Sequence, residues 1–301
     1  MSRTTNVLAL LLPHCRATGP RRPLSPDDFP EQIRQVESFV AAGEEIVFTL
    51  PGFPCKSPSP EKVLGHLPDE GERRALAFLH GLCEQVTELH PPGARMVVCS
   101  DGHVFGDLIG VPDAHVDAYA DELAAMIRRE GLHRLSVFDL RDVYGERSHD
   151  EKRALVHGRH APDLARLREE LRRDEGALAL YRGITRFLVE DAAGRFTGTR
   201  SALQRECRRR AYGVIQRSRA WGGLIAEQHP RAVRLSIHPQ PPGSAKFGIR
   251  LLTAADSWAT PWHATPLHRA DGRWELVRRA EAERRGRLVL RDGRPSHYTA
   301  A

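Results

Sequence analysis

The chain has 301 residues, 41% hydrophobic and 28% charged, with aromatics at only 6%. That is enough apolar material for one large core or two modest ones, and it excludes a disordered chain. The net charge of +6 arises from 45 basic residues interleaved with 39 acidic ones, a mixture that suits solvated helix faces better than the one-sign stripe of a nucleic-acid groove.

The first 20 residues carry a short apolar run broken by Pro13, with no small-residue cleavage site after it. They are expected to be a docking segment, not a signal peptide, and no apolar run reaches membrane length. Residues 21–301 contain no repeat and no long linker, which favours a single α/β domain. After a Pro/Arg-rich connector at 18–28, Ile33, Val36, Phe39 and Val40 recur at helical spacing and Gly43 supplies a C-terminal cap. Residues 44–50 read as a buried strand. The loop LPGFPCKSPSP at 50–60 follows, in which Pro51, Pro54, Pro58 and Pro60 should end the strand and stiffen the chain.

Leu76, Leu79, Cys83, Val86 and Leu89 mark a second helix, and residues 94–100 a second strand ending in Ser100, Asp101 and Gly102. Val116, Tyr119, Leu123 and Ile127 define a third helix, with Asp113 placed as its cap, Arg128 and Arg129 in its last turn and Gly131 at its close. A third strand at 134–140 again reaches an acid, Asp139. Three strand–helix units in succession imply parallel strands with crossover helices. The expected fold is therefore α/β: an open, mostly parallel, Rossmann-like sheet with helices on both faces and ligand groups at the carboxyl ends of its strands.

Residues 141–194 hold charged helical segments, and 180–194 fits either a strand or a helix. A long helix then begins near Ser201 and Gln204, which have capping-box spacing, with Leu203, Cys207, Ala211, Ile215, Ser218, Gly222 and Ile225 on one stripe. Arg205, Arg208, Arg209 and Arg210 crowd its first turns. A fourth strand at 232–238 ends on His238, a fifth is expected at 248–252, and residues 274–298 read as strand, short helix and terminal strand.

No phosphate-binding G-x-x-x-x-G-K-[ST] loop, dinucleotide G-x-G-x-x-G, H-E-x-x-H or G-x-S-x-G elbow is present. Five cysteines without a C-x-x-C pair exclude a disulfide framework and a cysteine zinc cluster, and they suit the reduced thiols of the cytoplasm. What remains is a set of polar groups at strand ends. Lysine occurs only at 56, 62, 152 and 246 among the 45 basic residues, so these positions draw attention as compact ammonium groups. Lys56, on the proline-stiffened loop beside Ser57, could grip an anion or transfer a proton. Asp101 could accept a proton, although Asp-Gly after a strand is equally a turn signal. His238 suits acid/base work near neutral pH or a structural role. Cys55 has no activating partner in sequence and is expected to pack.

The ordered strings LPGFPCKSPSPEKVLGHLPDEGERRAL, SDGHVFGDLIGVPD, YRGITRFLVED, RRRAYGVIQRSRAW, VRLSIHPQ and TPWH resemble the pyoverdine/dityrosine biosynthesis family, the isonitrile synthases, over residues 45–298. The resemblance implies a metal-independent enzyme, without a cofactor, that converts the α-amino group of an aromatic amino acid, tryptophan or tyrosine, to an isonitrile. Ribulose 5-phosphate is the co-substrate that supplies the added carbon. It further implies a downstream partner, a non-haem iron, 2-oxoglutarate-dependent oxygenase, and no nucleic-acid or membrane partner. On that basis Lys56, Asp101 and His238 are the catalytic candidates. Lys56, Lys246 and one or more of Arg208, Arg209 and Arg210 are candidates for the cationic cradle of the sugar phosphate, Ser57 is a further substrate-binding candidate, and Trp262 or His263 is a candidate for lining the amino-acid end. Two rival readings are a basic nucleic-acid-binding protein and another sugar-phosphate enzyme on a similar sheet.

Overall fold

The computed structural model describes residues 2–19, 22–254 and 259–300. Helix α1 (Arg3–Leu11) and α2 (Pro30–Ala42) lead into β1 (Ile46–Gly52), α3 (Glu70–Leu89), β2 (Ala94–Ser100), α4 (Gly102–Ile109), α5 (Asp113–Arg129) and β3 (Leu135–Phe138). A helical stretch follows: α6 (Leu140–Tyr144), α7 (His149–His160), α8 (Leu164–Arg173), α9 (Glu175–Ala192) and α10 (Arg200–Gln228). The chain then forms β4 (Val233–Ser236) and β5 (Phe247–Gly248), and ends in β6 (Thr253–Ala254), β7 (Thr265–His268), β8 (Trp274–Val277), α11 (Arg279–Arg285), β9 (Gly286–Arg291) and β10 (Arg294–Ala300).

The main sheet has the order β3-β2-β1-β4-β5 with every pair parallel. Both of its faces are covered, which explains why its strands read as near-continuous apolar runs. Ile46, Phe48, Leu50, Met96 and Val98 enter the larger core with Leu76, Leu79 and Val86 of α3 and with Val7, Leu8 and Leu11 of α1. Val97, Cys99 and Phe138 point the other way, against Trp221, Leu224 and Ile225 of α10 and Val156 of α7. The Trp221 indole N–H donates to the Cys99 carbonyl at 3.4 Å, so α10 is keyed to β2 as well as packed on it. Connections run one way from β1 to β3 and the other way from β4 to β5. The sheet therefore has its switch point between β1 and β4, where open parallel sheets place ligands.

Several local expectations change. Strand β1 continues two residues past Leu50 and includes Pro51, paired with Cys99. Its ladder to β4 has already stopped at Thr49, so Pro51 lies where a missing N–H is tolerated. Asp113 does not cap α5: Pro112 holds that position, and the Asp113 carboxylate is bonded to Arg153 instead. The cap of α10 is Thr199, whose hydroxyl accepts from Ala202 N at 3.2 Å, and Ser201 lies inside the helix. Ser218 leaves the buried stripe and is exposed. Residues 180–194, ambiguous by pattern, lie mostly in α9.

The expected fifth strand shrinks to Phe247–Gly248 because the N-terminal segment takes the hydrogen bonds around it. Arg16 N donates to Gly248 O at 2.8 Å and Arg250 N to His14 O at 2.9 Å. A Cβ on Gly248 would sit 2.1 Å from Arg16 O, so only glycine admits this crossing. The tail forms its own mixed sheet, β6-β8-β7-β10-β9, around Leu267, Val277, Ala282 and Tyr298. The strand, helix and terminal strands read in its sequence appear there as β8, α11, β9 and β10. Of the SWATPWH string, Ser257 and Trp258 lie outside the described residues. No helix among the described residues is long and apolar enough to cross a membrane.

Candidate active site at the carboxyl edge of the main sheet

Asp101 follows β2 directly and occupies the cap position of α4, yet its side chain makes no capping bond to that helix. Its Oδ1 is buried and without a hydrogen-bond partner among the described residues. Burial pushes the carboxyl up to about 7, offset only in part by a hydrogen bond to its own backbone. Asp139, at the end of β3, shows the contrast. It accepts from Arg141 N at 2.6 Å and is paired with the Arg141 guanidinium, so that acid is used in capping. Gly102 is required beside Asp101 because a Cβ there would lie 2.0 Å from the Pro54 carbonyl. The β1 loop and the start of α4 thus touch backbone to backbone.

His238 leaves the sheet two residues after β4. The residue is exposed to solvent, while the protein packed around its ring, together with the charges of Arg16 and Lys246, pushes its pKa down to about 4. His263, in the 3₁₀ turn Pro261–His263, is held well below the usual imidazole range by burial, then by Lys62, His238 and Lys56. Its Nδ1 lies 3.1 Å from Thr260 Oγ1 and its ring 4.4 Å from that of Phe187 of α9. Both imidazoles are therefore neutral near pH 7.

Lys246 and Arg234 form the cationic side. Leu235 of β4 is paired with Phe247 of β5, which sets Arg234 and Lys246 side by side on the face that packs against α10. A Cβ on Gly222 of that helix would lie 3.6 Å from an Arg234 nitrogen and 3.9 Å from Lys246 Nζ. Burial lowers both basic pKa values, and Arg234 lowers that of Lys246 further. No carboxylate among the described residues forms an ion pair with either. Two adjacent, partly buried cations without a counterion are an unfavourable arrangement that an anion relieves.

These groups close into a ring. Asp101 and Asp191 both bear on Cys55, and Asp191 is bonded to Lys62 at 2.6 Å. Lys62 and His238 both bear on His263, Lys246 bears on His238, and Arg234 on Lys246. Arg234 and Asp101 both lie within electrostatic reach of Cys99. Ser57 joins the ring by donating from Oγ to Asp191 at 3.0 Å, while its backbone N donates to Trp262 O at 2.8 Å. Burial raises the Cys55 thiol far above its ordinary range, which leaves it a packing residue, as its sequence context suggests.

Three sequence-derived candidates lie elsewhere than expected. The Lys56 side chain is wholly inaccessible: Nζ lies 2.7 Å from Asp69, 2.7 Å from Glu72 and 2.9 Å from the Pro261 carbonyl. An ammonium has three donors and all are taken, so in this arrangement Lys56 ties the β1 loop to the start of α3 and cannot hold a phosphate. Arg208, Arg209 and Arg210 are not brought to the sheet edge. They line a separate cleft of about 630 Å³ with Asp107, Arg168 and Tyr212. Arg209 and Arg210 pair with Glu206, and the triplet lies about 20 Å along α10 from Gly222. Trp262 is 1% exposed and packs at a tilt on Phe53, ring centres 5.0 Å apart, so it belongs to the core behind this edge. The reading of the sequence missed Arg234, Lys62 and Asp191. Lys62 carried the signal of being one of four lysines, without a role attached to it, and Arg234 that of a cation inside an otherwise apolar strand.

Titratable groups gathered at the switch point of a parallel sheet make this edge the candidate active site of an α/β enzyme. Residues 36–289 match the family model described as "Pyoverdine/dityrosine biosynthesis protein", and the chain belongs to that family. The L-tyrosine isonitrile synthase of Pseudomonas aeruginosa is 48% identical over 273 residues, covering 89% of this chain and 83% of that protein. The L-tryptophan isonitrile synthase AmbI2 of Fischerella ambigua is 40% identical over 269 residues, covering 88% and 81%. The crystal structure of the PvcA protein from Pseudomonas aeruginosa matches with a TM-score of 0.92 at 44% identity, across 99% of this chain and all of that one. The chain is an enzyme of the isonitrile synthase type.

Proposed function

We propose that the enzyme converts the α-amino group of an aromatic amino acid, L-tyrosine or L-tryptophan, to an isonitrile, with ribulose 5-phosphate donating the carbon. The observation that carries this reading is the Arg234–Lys246 couple, without a carboxylate partner among the described residues, at the same sheet edge as Asp101 and His238. The phosphate binds between Arg234 and Lys246. The sugar ketone then faces the acid/base groups. Attack of the amine on the ketone gives a carbinolamine, which loses water to form an imine. Asp101, half protonated near pH 7, donates a proton to the leaving hydroxyl, and neutral His238 takes the proton released by the amine. His263 and the Ser57–Asp191–Lys62 group line the amino-acid side, where Lys62 offers a partner for the carboxylate.

The doubly wound, Rossmann-like order of the main sheet supports this placement of the pocket. The reaction belongs to a cytoplasmic secondary-metabolite route, and the isonitrile passes to a non-haem iron, 2-oxoglutarate-dependent oxygenase. The test is incubation of the purified protein with L-tyrosine or L-tryptophan and ribulose 5-phosphate carrying a ¹³C label, followed by mass spectrometry. A labelled isonitrile carbon is expected with one or both amino acids. Turnover that is independent of the sugar phosphate would refute the donor, and no product with either amino acid would refute the substrate class.

A further inference from the structure

Behind the pocket, three helices bring together side chains that the reaction does not use. His103 of α4 is buried, Asp117 belongs to α5, and His149 opens α7. His103 Nε2 lies 2.9 Å from Asp117 Oδ1 and His149 Nε2 lies 3.3 Å from Asp117 Oδ2. The two imidazoles stack at 4.0 Å with 10° between their planes, and the three ligand atoms all fall within 4.8 Å of one another. We propose that His103, Asp117 and His149 form a binding site for one divalent transition ion of the zinc type, which fastens α4, α5 and α7 together.

The donor set supports this reading. Two imidazole nitrogens and one carboxylate suit zinc and its neighbours better than magnesium or calcium. Ligand bonds of about 2.0–2.1 Å in a tetrahedron place neighbouring donors roughly 3.3–3.4 Å apart; the two histidine–carboxylate spacings already lie near that value, and one of the stacked rings turns to bring both nitrogens onto a common ion. A water fills the fourth position.

Local charge agrees. Asp113, Asp150 and Asp107 are taken up by Arg153 and Asp139 by Arg141, whereas the ion-pair partners of Asp117 among the described residues are the two imidazoles. The ion would anchor the first turn of α7, the beginning of the helical stretch that ends in α9 with Asp191, to the helix that Asp101 begins. No step of the reaction passes through it.

The full-length protein, stripped with a chelator and dialysed, is titrated with Co²⁺ while its visible absorption is followed, and separately with Zn²⁺ while thermal unfolding is followed. One equivalent of Co²⁺ should bind with a tetrahedral-type spectrum. Zinc at a hundredfold excess over its Kd should raise Tm by about 4 °C. Asp117→Asn, which keeps the shape of the side chain, and His149→Ala should each weaken uptake roughly tenfold or more, while His115→Ala, at a separate surface imidazole pair with His66, should leave it unchanged. Absence of saturable uptake would overturn the proposal, as would equal uptake by the Asp117 and His149 variants.

Discussion

Replacing Lys56 by methionine keeps the length and volume of the side chain and removes one charge from a site that solvent does not reach. Lys56 and Glu72 are 0% exposed at their side chains and Asp69 4%. The variant leaves two carboxylates and the Pro261 carbonyl without their common donor. Breaking a buried ion pair in this way costs about 3–5 kcal/mol. Asp69, whose carboxyl burial already holds well above the ordinary range, can take up a proton and keep the loss toward the lower end. For 301 residues, the unfolding entropy is roughly 0.6 kcal/mol per kelvin, so Tm should fall by about 5–8 °C. Turnover measured well below that Tm should persist. The companion triple variant Lys56→Met, Asp69→Asn, Glu72→Gln replaces the charged cluster with neutral groups, and asparagine still caps α3. It should recover most of the lost stability. A Lys56→Met protein that melts within a degree of the parent and yet makes no product would show that the ammonium acts on substrate, and the structural account of Lys56 would fall.

Asp101→Asn should abolish turnover in a folded protein, and the pH–rate profile of the parent should show a limb with an apparent pKa near 7 that the variant lacks. Stability carries the same signature: the folded-state pKa of Asp101 is raised, so its favourable contribution is complete below about pH 4 and is lost as pH rises through about 7. The Tm of Asp101→Asn should accordingly decline less than that of the parent over this window. Arg234→Met and Lys246→Met should each raise the KM for the sugar phosphate by roughly tenfold or more and leave that for the amino acid nearly unchanged, since a charge-assisted hydrogen bond is worth ~1.5–3 kcal/mol. The triple change of Arg208, Arg209 and Arg210 to glutamine should alter steady-state turnover less than about twofold, because these side chains lie on a different cleft. Gly102→Ala should destabilise the protein by more than about 2 kcal/mol in denaturant titration, since its methyl would collide with the Pro54 carbonyl backbone.

Much of the main sheet could be read from the chain. The apolar runs at β1, β2 and β3, and helices with stripes such as Leu76 to Leu89, repeat a simple rule: a strand covered on both faces is uniformly apolar, and its crossover helix is amphipathic. The second sheet was not legible as a separate sheet. Its strands are short and mixed in direction, and what makes them a sheet is pairing between segments such as β7 and β10, which lie far apart in sequence.

The site divided in the same way. Asp101 and His238 stand at strand ends, so topology alone places them on one edge. Lys56 stands on the same edge by sequence, but its environment is decided by Asp69 and Glu72 across the start of α3, a tertiary fact that no local pattern near Lys56 contains. The arginines at 208–210 were conspicuous by number. Arg234 was a single residue, and it gained meaning only when β5 set Lys246 beside it and left both without a carboxylate.

The central claim is that the sugar phosphate sits at the switch point with its phosphate between Arg234 and Lys246. A crystal structure of the Asp101→Asn protein soaked with ribulose 5-phosphate tests it most directly. Phosphate density bridging Arg234 and Lys246, with the ketone turned toward residues 101 and 238, is the predicted result. Phosphate bound at Arg208 to Arg210, or a Lys56 released from Asp69 and Glu72 to meet it, would contradict the account.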